Sequence, residues 1–94
     1  MSKTEYKFTL PKCVTERIAW AVQAMEDDGI TPLGTIEIIL AYDEEFCKEE
    51  YEWGASGDWL EVTEEFKEWR DGRMSRYKQY MILHAFVNGY EVTE

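Results

Sequence analysis

Between Asp43 and Trp69 the chain reads DEEFCKEEYEWGASGDWLEVTEEFKEW. Eleven of these residues are Asp or Glu, two are Lys and six are aromatic. Carboxylates at this density suggest two chemistries. A pair of them could do acid–base work, as in glycoside hydrolysis. That needs one carboxyl set apart in an apolar pocket, and nothing in the run isolates one. Alternatively, a spread of carboxylates presents negative charge where phosphates would lie, which suits a basic protein surface. The plain reading is a solvated helix face. On a helical wheel Glu37, Glu44, Glu45, Lys48, Glu49 and Glu52 fall on or beside the side away from the apolar residues. Two features point past solvation. Asp43 and Glu50, seven residues apart, fall on the apolar stripe itself. Like charges at Glu45–Glu49 and Glu61–Glu65 each cost a few tenths of a kcal/mol.

Cys13, Cys47 and His84 are the other reactive side chains. A structural zinc site shows C-x₂₋₄-C or H-x₃₋₅-H spacing, and the chain has neither. A nucleophilic Cys–His pair needs an activated thiolate. The sequence therefore predicts two buried reduced thiols, a histidine at the core edge, no metal, no cofactor and no catalytic residue. Among the aromatics, Trp59, Phe66 and Trp69 have helical spacing and are expected mainly in the core. Trp53, between Glu52 and the GASGD loop, is the candidate exposed anchor. Arg70, Arg73, Arg76 and Lys78 form a short basic cluster, expected to pair with Glu61–Glu68 in the same chain or in a second copy.

These groups need elements to position them. Tyr6, Phe8 and Leu10 alternate with Lys7 and Thr9, as in an extended arm. Pro11 suits the first turn of a helix, and Val14, Ile18, Ala21 and Met25 share one face of it, up to a stop at Gly29. Thr31 and Pro32 start a second helix, in which Leu33, Ile36, Leu40, Cys47 and Tyr51 share a stripe through Glu52. A strand reading of Ile36–Tyr42 competes but suits the acidic continuation less well. Gly54–Asp58 is a loop. Trp59, Val62, Phe66 and Trp69 form a third helical face, with Asp58 or Thr63 as its cap, and Asp71-Gly72 breaks or weakens it. The fourth helix aligns Tyr77, Met81, Ala85 and Asn88, flanked by Met74, Tyr80 and Val87, and stops at Asn88-Gly89. The prediction is an all-α fold: residues 1–94 as a single domain, a small bundle of about four helices with short extended ends.

Composition narrows the function classes. The 94 residues are 45% hydrophobic and 15% aromatic, which are globular values. The net charge is −10, and Asp43–Trp69 supplies −9 of it. Such a region repels phosphate, so direct binding of DNA, RNA or anionic lipid is not expected. MSKTEYKFTL lacks the apolar run of a signal peptide, and no stretch approaches a membrane span. Two cysteines without a pairing signature suit a reducing compartment. The expected location is the cytoplasm.

LPKCVTERI (Leu10–Ile18) and LHAFVNGYEV (Leu83–Val92) together resemble a family of small, uncharacterised proteins from temperate phages of Gram-positive bacteria. That family's layout is a Leu-Pro helix, an acidic and aromatic middle, and a last helix ending in Gly-Tyr. Arg17 and Phe86 stand where its members commonly carry Trp. The resemblance implies a phage origin and a bacterial host cytoplasm, and no activity. Small acidic phage proteins often inhibit host proteins, anti-CRISPR proteins among them. The functional expectation is a non-enzymatic, DNA-mimicking inhibitor of a basic host protein such as a Cas nuclease. Its contact residues would be Asp43, Glu44, Glu45, Glu49, Glu50, Glu52 and Trp53. A second expectation is a self-assembling homodimer in which Arg70–Lys78 docks on the acidic helix.

Overall fold

The computed structural model describes residues 7–50 and 59–93. Strand β1 (Phe8–Pro11) leads into α1 (Lys12–Asp28). Then come α2 (Pro32–Leu40), α3 (Glu44–Glu50), α4 (Glu64–Asp71), α5 (Ser75–Asn88) and β2 (Tyr90–Thr93). The described residues thus form a mainly helical domain of five helices with one small sheet. The two strands pair in parallel, Phe8 opposite Tyr90 and Leu10 opposite Val92. The alternation read from Phe8 and Leu10 is real: both are buried while Thr9 is exposed. No helix among the described residues is long and apolar enough to cross a membrane.

The start and stop signals act as their chemistry requires. Thr31 Oγ1 accepts from the Gly34 N–H at 3.1 Å, with Pro32 at the first helical position. Thr63 Oγ1 caps α4 through the Phe66 N–H at 3.0 Å. Gly29 takes φ +71° and its N–H closes on Met25 O, and Gly89 at φ +90° lets the chain leave α5 for β2. Pro11 is the last residue of β1 and precedes α1 rather than opening its first turn.

The core is built from Leu10, Val14, Ile18, Ala21, Ile38, Ile39, Phe66, Ile82 and their neighbours. α1 lies against α2 and both strands; α5 packs on α2, α4 and β1.

Four expectations need correction. The helix begun at Pro32 does not run through Glu52. It ends at Leu40, Ala41 takes a left-handed turn at φ 45°, and α3 starts afresh. The cause is three consecutive buried residues, Ile38, Ile39 and Leu40. One helix face cannot bury three in a row while continuing along the surface, so the chain turns. The proposed stripe also fails at its first member, since Leu33 is 83% exposed while Thr35 and Ile38 are fully buried. The third helix starts at Glu64, after an irregular segment carrying Trp59 and Val62. Finally, α5 buries Ile82 and Ala85 and leaves Tyr77 and Asn88 exposed. That helix is apolar on several faces, so periodicity alone did not select the inner one. Tyr51, Glu52, Trp53 and the Gly54–Asp58 loop lie outside the described residues.

Candidate partner-binding surface

The acidic helix α3 is fixed by its own first residues. Asp43 is its N-cap: Oδ1 accepts from the Phe46 N–H at 3.1 Å, and its carbonyl accepts from the Cys47 N–H. Asp43 therefore does not sit on an inward stripe; it is exposed at the start of the helix. Cys47 is the buried side of α3, and burial pushes its thiol up to about 11. Its Sγ–H lies 3.9 Å from Glu37 O.

Glu44 turns inward from the acidic run. Its Oε2 accepts from the Trp59 indole N–H at 2.6 Å and from the Val62 N–H at 2.9 Å. Burial alone would raise this carboxyl, but those two donors, with Lys48 and Arg17 nearby, hold it below the usual range. Glu44 thus straps the 59–62 segment onto α3.

Beneath the strap lies the group that the sequence reading missed. Arg17 is 2% exposed, in the core face of α1 between Val14, Ile18 and Ala21. It donates through Nη2 to Ile38 O at 2.8 Å, Nε to Ile39 O at 3.0 Å and Nη1 to Leu60 O at 2.6 Å. Its guanidinium lies between 5.2 and 5.4 Å from the ring centres of Trp20, Trp59 and Phe66. Burial pulls it down to about 10, which leaves it charged at neutral pH.

Arg70 does the same work next door. Nη1 donates to Leu40 O at 2.8 Å and Ala41 O at 2.9 Å. Nε and Nη2 grip Asp71 in a two-point pair at 2.8 Å each, and the guanidinium lies 4.7 Å from the centre of the Tyr42 ring. The Asp71 contact, outweighing burial, raises Arg70 and lowers Asp71. The last carbonyls of α2 are the orphans of any helix C-terminus. Here two arginines satisfy four carbonyls in sequence, Ile38 through Ala41, and place positive charge at the negative end of the helix dipole. A signal existed: Arg17 lies on an apolar stripe and Arg70 follows Phe66 at i+4.

Arg70 is therefore not a surface member of the basic cluster. Lys78 donates to Trp69 O at 2.6 Å and lies over the Trp69 ring. Arg73 and Arg76 are exposed. None of the four pairs with Glu61–Glu68 of the same chain among the described residues, which corrects the intramolecular form of that expectation.

What remains outside is an acidic surface, the ridge. Glu45, Glu49 and Glu50 are exposed on α3. Lys48 Nζ bridges Glu45 at 3.4 Å and Glu61 at 3.2 Å, which joins α3 to the 59–63 segment. Glu61, Glu65 and Glu16 then line one cleft of about 120 Å³ with Cys13. Burial, then the Glu65 and Glu16 charges, raise the Cys13 thiol. Four elements or segments, α3, the 59–63 segment, α4 and α1, thereby contribute to one surface. Of the expected contact residues, Asp43, Glu45, Glu49 and Glu50 face solvent, Glu44 is half-buried and turned toward Trp59 and Val62, and Glu52 and Trp53 lie outside the described residues. Trp59 and Phe66 are buried and Trp69 is half-buried. His84 packs edge-on against Phe8 at 5.0 Å. Among the described residues no group of three His, Cys, Asp or Glu side chains could hold a metal ion. In comparisons with protein-family models, curated proteins and solved structures, no match to this chain is found.

Proposed function

We propose that the protein is a binding protein whose acidic ridge occupies the phosphate-binding surface of a basic host protein. The observation that supports this most is the Lys48 bridge. It joins Glu45 on α3 to Glu61, which shares a cleft with Glu65 and Glu16, and Glu49 and Glu50 are exposed on the same short helix. An ordinary solvated face needs no such link across elements. Its carboxylates stand on a scaffold fixed from beneath by Arg17, Glu44 and Arg70, so little ordering entropy is lost on binding. Asp43 extends the ridge at the start of α3. Glu52 and Trp53 follow α3 in sequence and would supply a further charge and an aromatic anchor. The most specific version of the proposal is an anti-CRISPR protein of phage origin, standing in the DNA channel of a Cas nuclease in the bacterial cytoplasm.

The test is a pull-down from a nuclease-treated host lysate expressing its CRISPR effector, eluted with a salt gradient. A single basic nucleic-acid-binding protein should elute at moderate salt. Once purified, it should lose DNA binding when this protein is added. Glu45→Gln/Glu49→Gln/Glu50→Gln should shift elution to lower salt without moving the unfolding midpoint. Elution that ignores salt, or a captured protein that binds DNA equally well in the complex, would rule the proposal out.

A further inference from the structure

The opposite character is found on α5. Tyr80, Leu83 and Val87 are exposed large apolar residues, Val87 by 75% and Tyr80 by 58%. With Arg76 they follow steps of four, three and four, which places all four within one narrow face of the helix. The stretch Ser75–Asn88 contains no acid, in a chain of net charge −10. Arg76 and Arg73, in the turn before it, pair with no described carboxylate. Tyr77 stacks on Tyr80 at 6.3 Å and braces it. The face is therefore apolar along its length, basic at its N-terminal end, and followed at its C-terminal end by the exposed Glu91 of β2.

We infer that this face receives a second copy of the chain, α5 against α5 in antiparallel orientation about a two-fold axis. The spacing is its own argument. Positions 76, 80, 83 and 87 are symmetric about a point between Met81 and Ile82. A two-fold axis there sets Tyr80 opposite Leu83 of the second copy and Arg76 opposite its Val87. The same steps are the d, a, d, a positions of a heptad, and antiparallel seams pair a with d. Charge selects the orientation. A parallel pair would put the two Arg76 side chains together and align both helix dipoles. The antiparallel pair separates the arginines by about 17 Å along the axis. It also brings Arg73 and Arg76 to the end where the second copy carries Glu91. A contact this short, even with Tyr77 at its flank, falls in the class below about 1,200 Å². The dimer is accordingly weak and concentration-dependent. It leaves the acidic ridge of each copy free, so the inference does not rest on the proposed function.

The test is sedimentation equilibrium from low micromolar to near-millimolar protein. The apparent mass should climb toward twice the monomer's. Leu83→Asp and Val87→Lys, the latter setting a second cation against Arg76 of the other copy, should each hold it at the monomer, with unchanged circular dichroism and unfolding midpoint. If Leu83→Asp perturbs folding, Val87→Lys carries the test, the Val87 side chain being the more exposed. Arg76→Glu should weaken association on the order of tenfold, and adding Glu91→Arg should recover part of the loss. A monomer throughout the range would overturn the inference. So would a dimer indifferent to both Leu83→Asp and Val87→Lys, or a double charge swap weaker than either single one.

Discussion

Replacing Arg17 tests the central claim about how this chain folds. In Arg17→Met a side chain of comparable length keeps the packing against Trp20, Trp59 and Phe66 and removes all the donors. Ile38 O, Ile39 O and Leu60 O then lose partners now held at 2.8, 3.0 and 2.6 Å. A hydrogen bond to a charged group contributes about 1.5–3 kcal/mol, and an unsatisfied buried carbonyl costs about 1–3 kcal/mol. Against this, removing a buried cation relieves its desolvation penalty, which is several kcal/mol. The balance is a net loss of about 3–5 kcal/mol, the range for breaking one side of a buried charged network. A domain of this length has about 5–14 kcal/mol in total, so the loss is a large fraction of it. At about 4–8 °C per kcal/mol for a domain of this size, the unfolding midpoint should fall by upward of about 12 °C.

Arg17→Lys separates fork geometry from charge. An ammonium is a point donor and cannot reach α2 and Leu60 together; it should lose roughly half as much. Urea and thermal unfolding, followed by far-ultraviolet circular dichroism, read both variants. If Arg17→Met stays within about 1 kcal/mol of the parent, the three carbonyls have other donors and the clamp is not what holds α2 to the 59–62 segment. If Arg17→Lys matches the parent, charge rather than the planar fork is the operative property.

Three further outcomes follow from particular residues. Ile38→Ala should cost about 2–5 kcal/mol and Leu33→Ala no more than about 0.5 kcal/mol; similar losses in urea midpoints would restore the stripe read from the sequence. Met74 is exposed with φ 62°, so Met74→Gly should stabilise by about 0.5–1 kcal/mol, and a loss in thermal unfolding would mean that the turn is not strained. Glu44 is held below its ordinary value in the native state. The unfolded chain therefore binds more protons through that window, and stability is present above the ordinary Glu range and lost as pH falls through the lowered value. Glu44→Gln should flatten this acid limb in urea midpoints taken from about pH 7 to about pH 3, and an unchanged limb would remove Glu44 from the account.

The local chemistry of the fold was legible because its signals are short-range. Thr31-Pro32, Thr63, Gly29 and Asn88-Gly89 each need only their neighbours to act, and each acts where the sequence places it. The faces were legible only where a helix is amphipathic. Val14, Ile18 and Ala21 emerge from α1 because the residues between them are mostly polar, whereas α5 offers apolar residues on several sides. The acidic site divides the same way. That Glu45, Glu49 and Glu50 are exposed follows from their type. That Glu44, one residue before Glu45, turns inward depends on Trp59 and Val62 arriving from 15 and 18 residues away, and no local pattern encodes that approach. Arg17 and Arg70 were not legible as buried groups: arginine is rarely buried without a partner, so Arg70 reads as one of a surface basic cluster, although a helix C-terminus with buried carbonyls calls for such a donor.

The two buried arginines also bear on why a chain so acidic can stay folded. Carboxylates crowded on one surface repel, and that repulsion destabilises the compact state. Arg17 lies within electrostatic reach of Glu44 and Glu61, and Arg70 is gripped by Asp71. Both cations are thus inside the domain, under the negative surface, where salt screens them less than it screens exposed charge. Added salt should therefore weaken the repulsion among Glu45, Glu49, Glu50, Glu61 and Glu65 more than it weakens the internal attraction. The domain is expected to gain stability over the same range of salt in which it would lose a basic partner, because the exposed charges that repel each other are the ones offered for binding. If salt destabilised the isolated domain, the attraction would lie in exposed pairs such as Lys48–Glu61 instead, and the buried arginines would not be what offsets the acidic ridge.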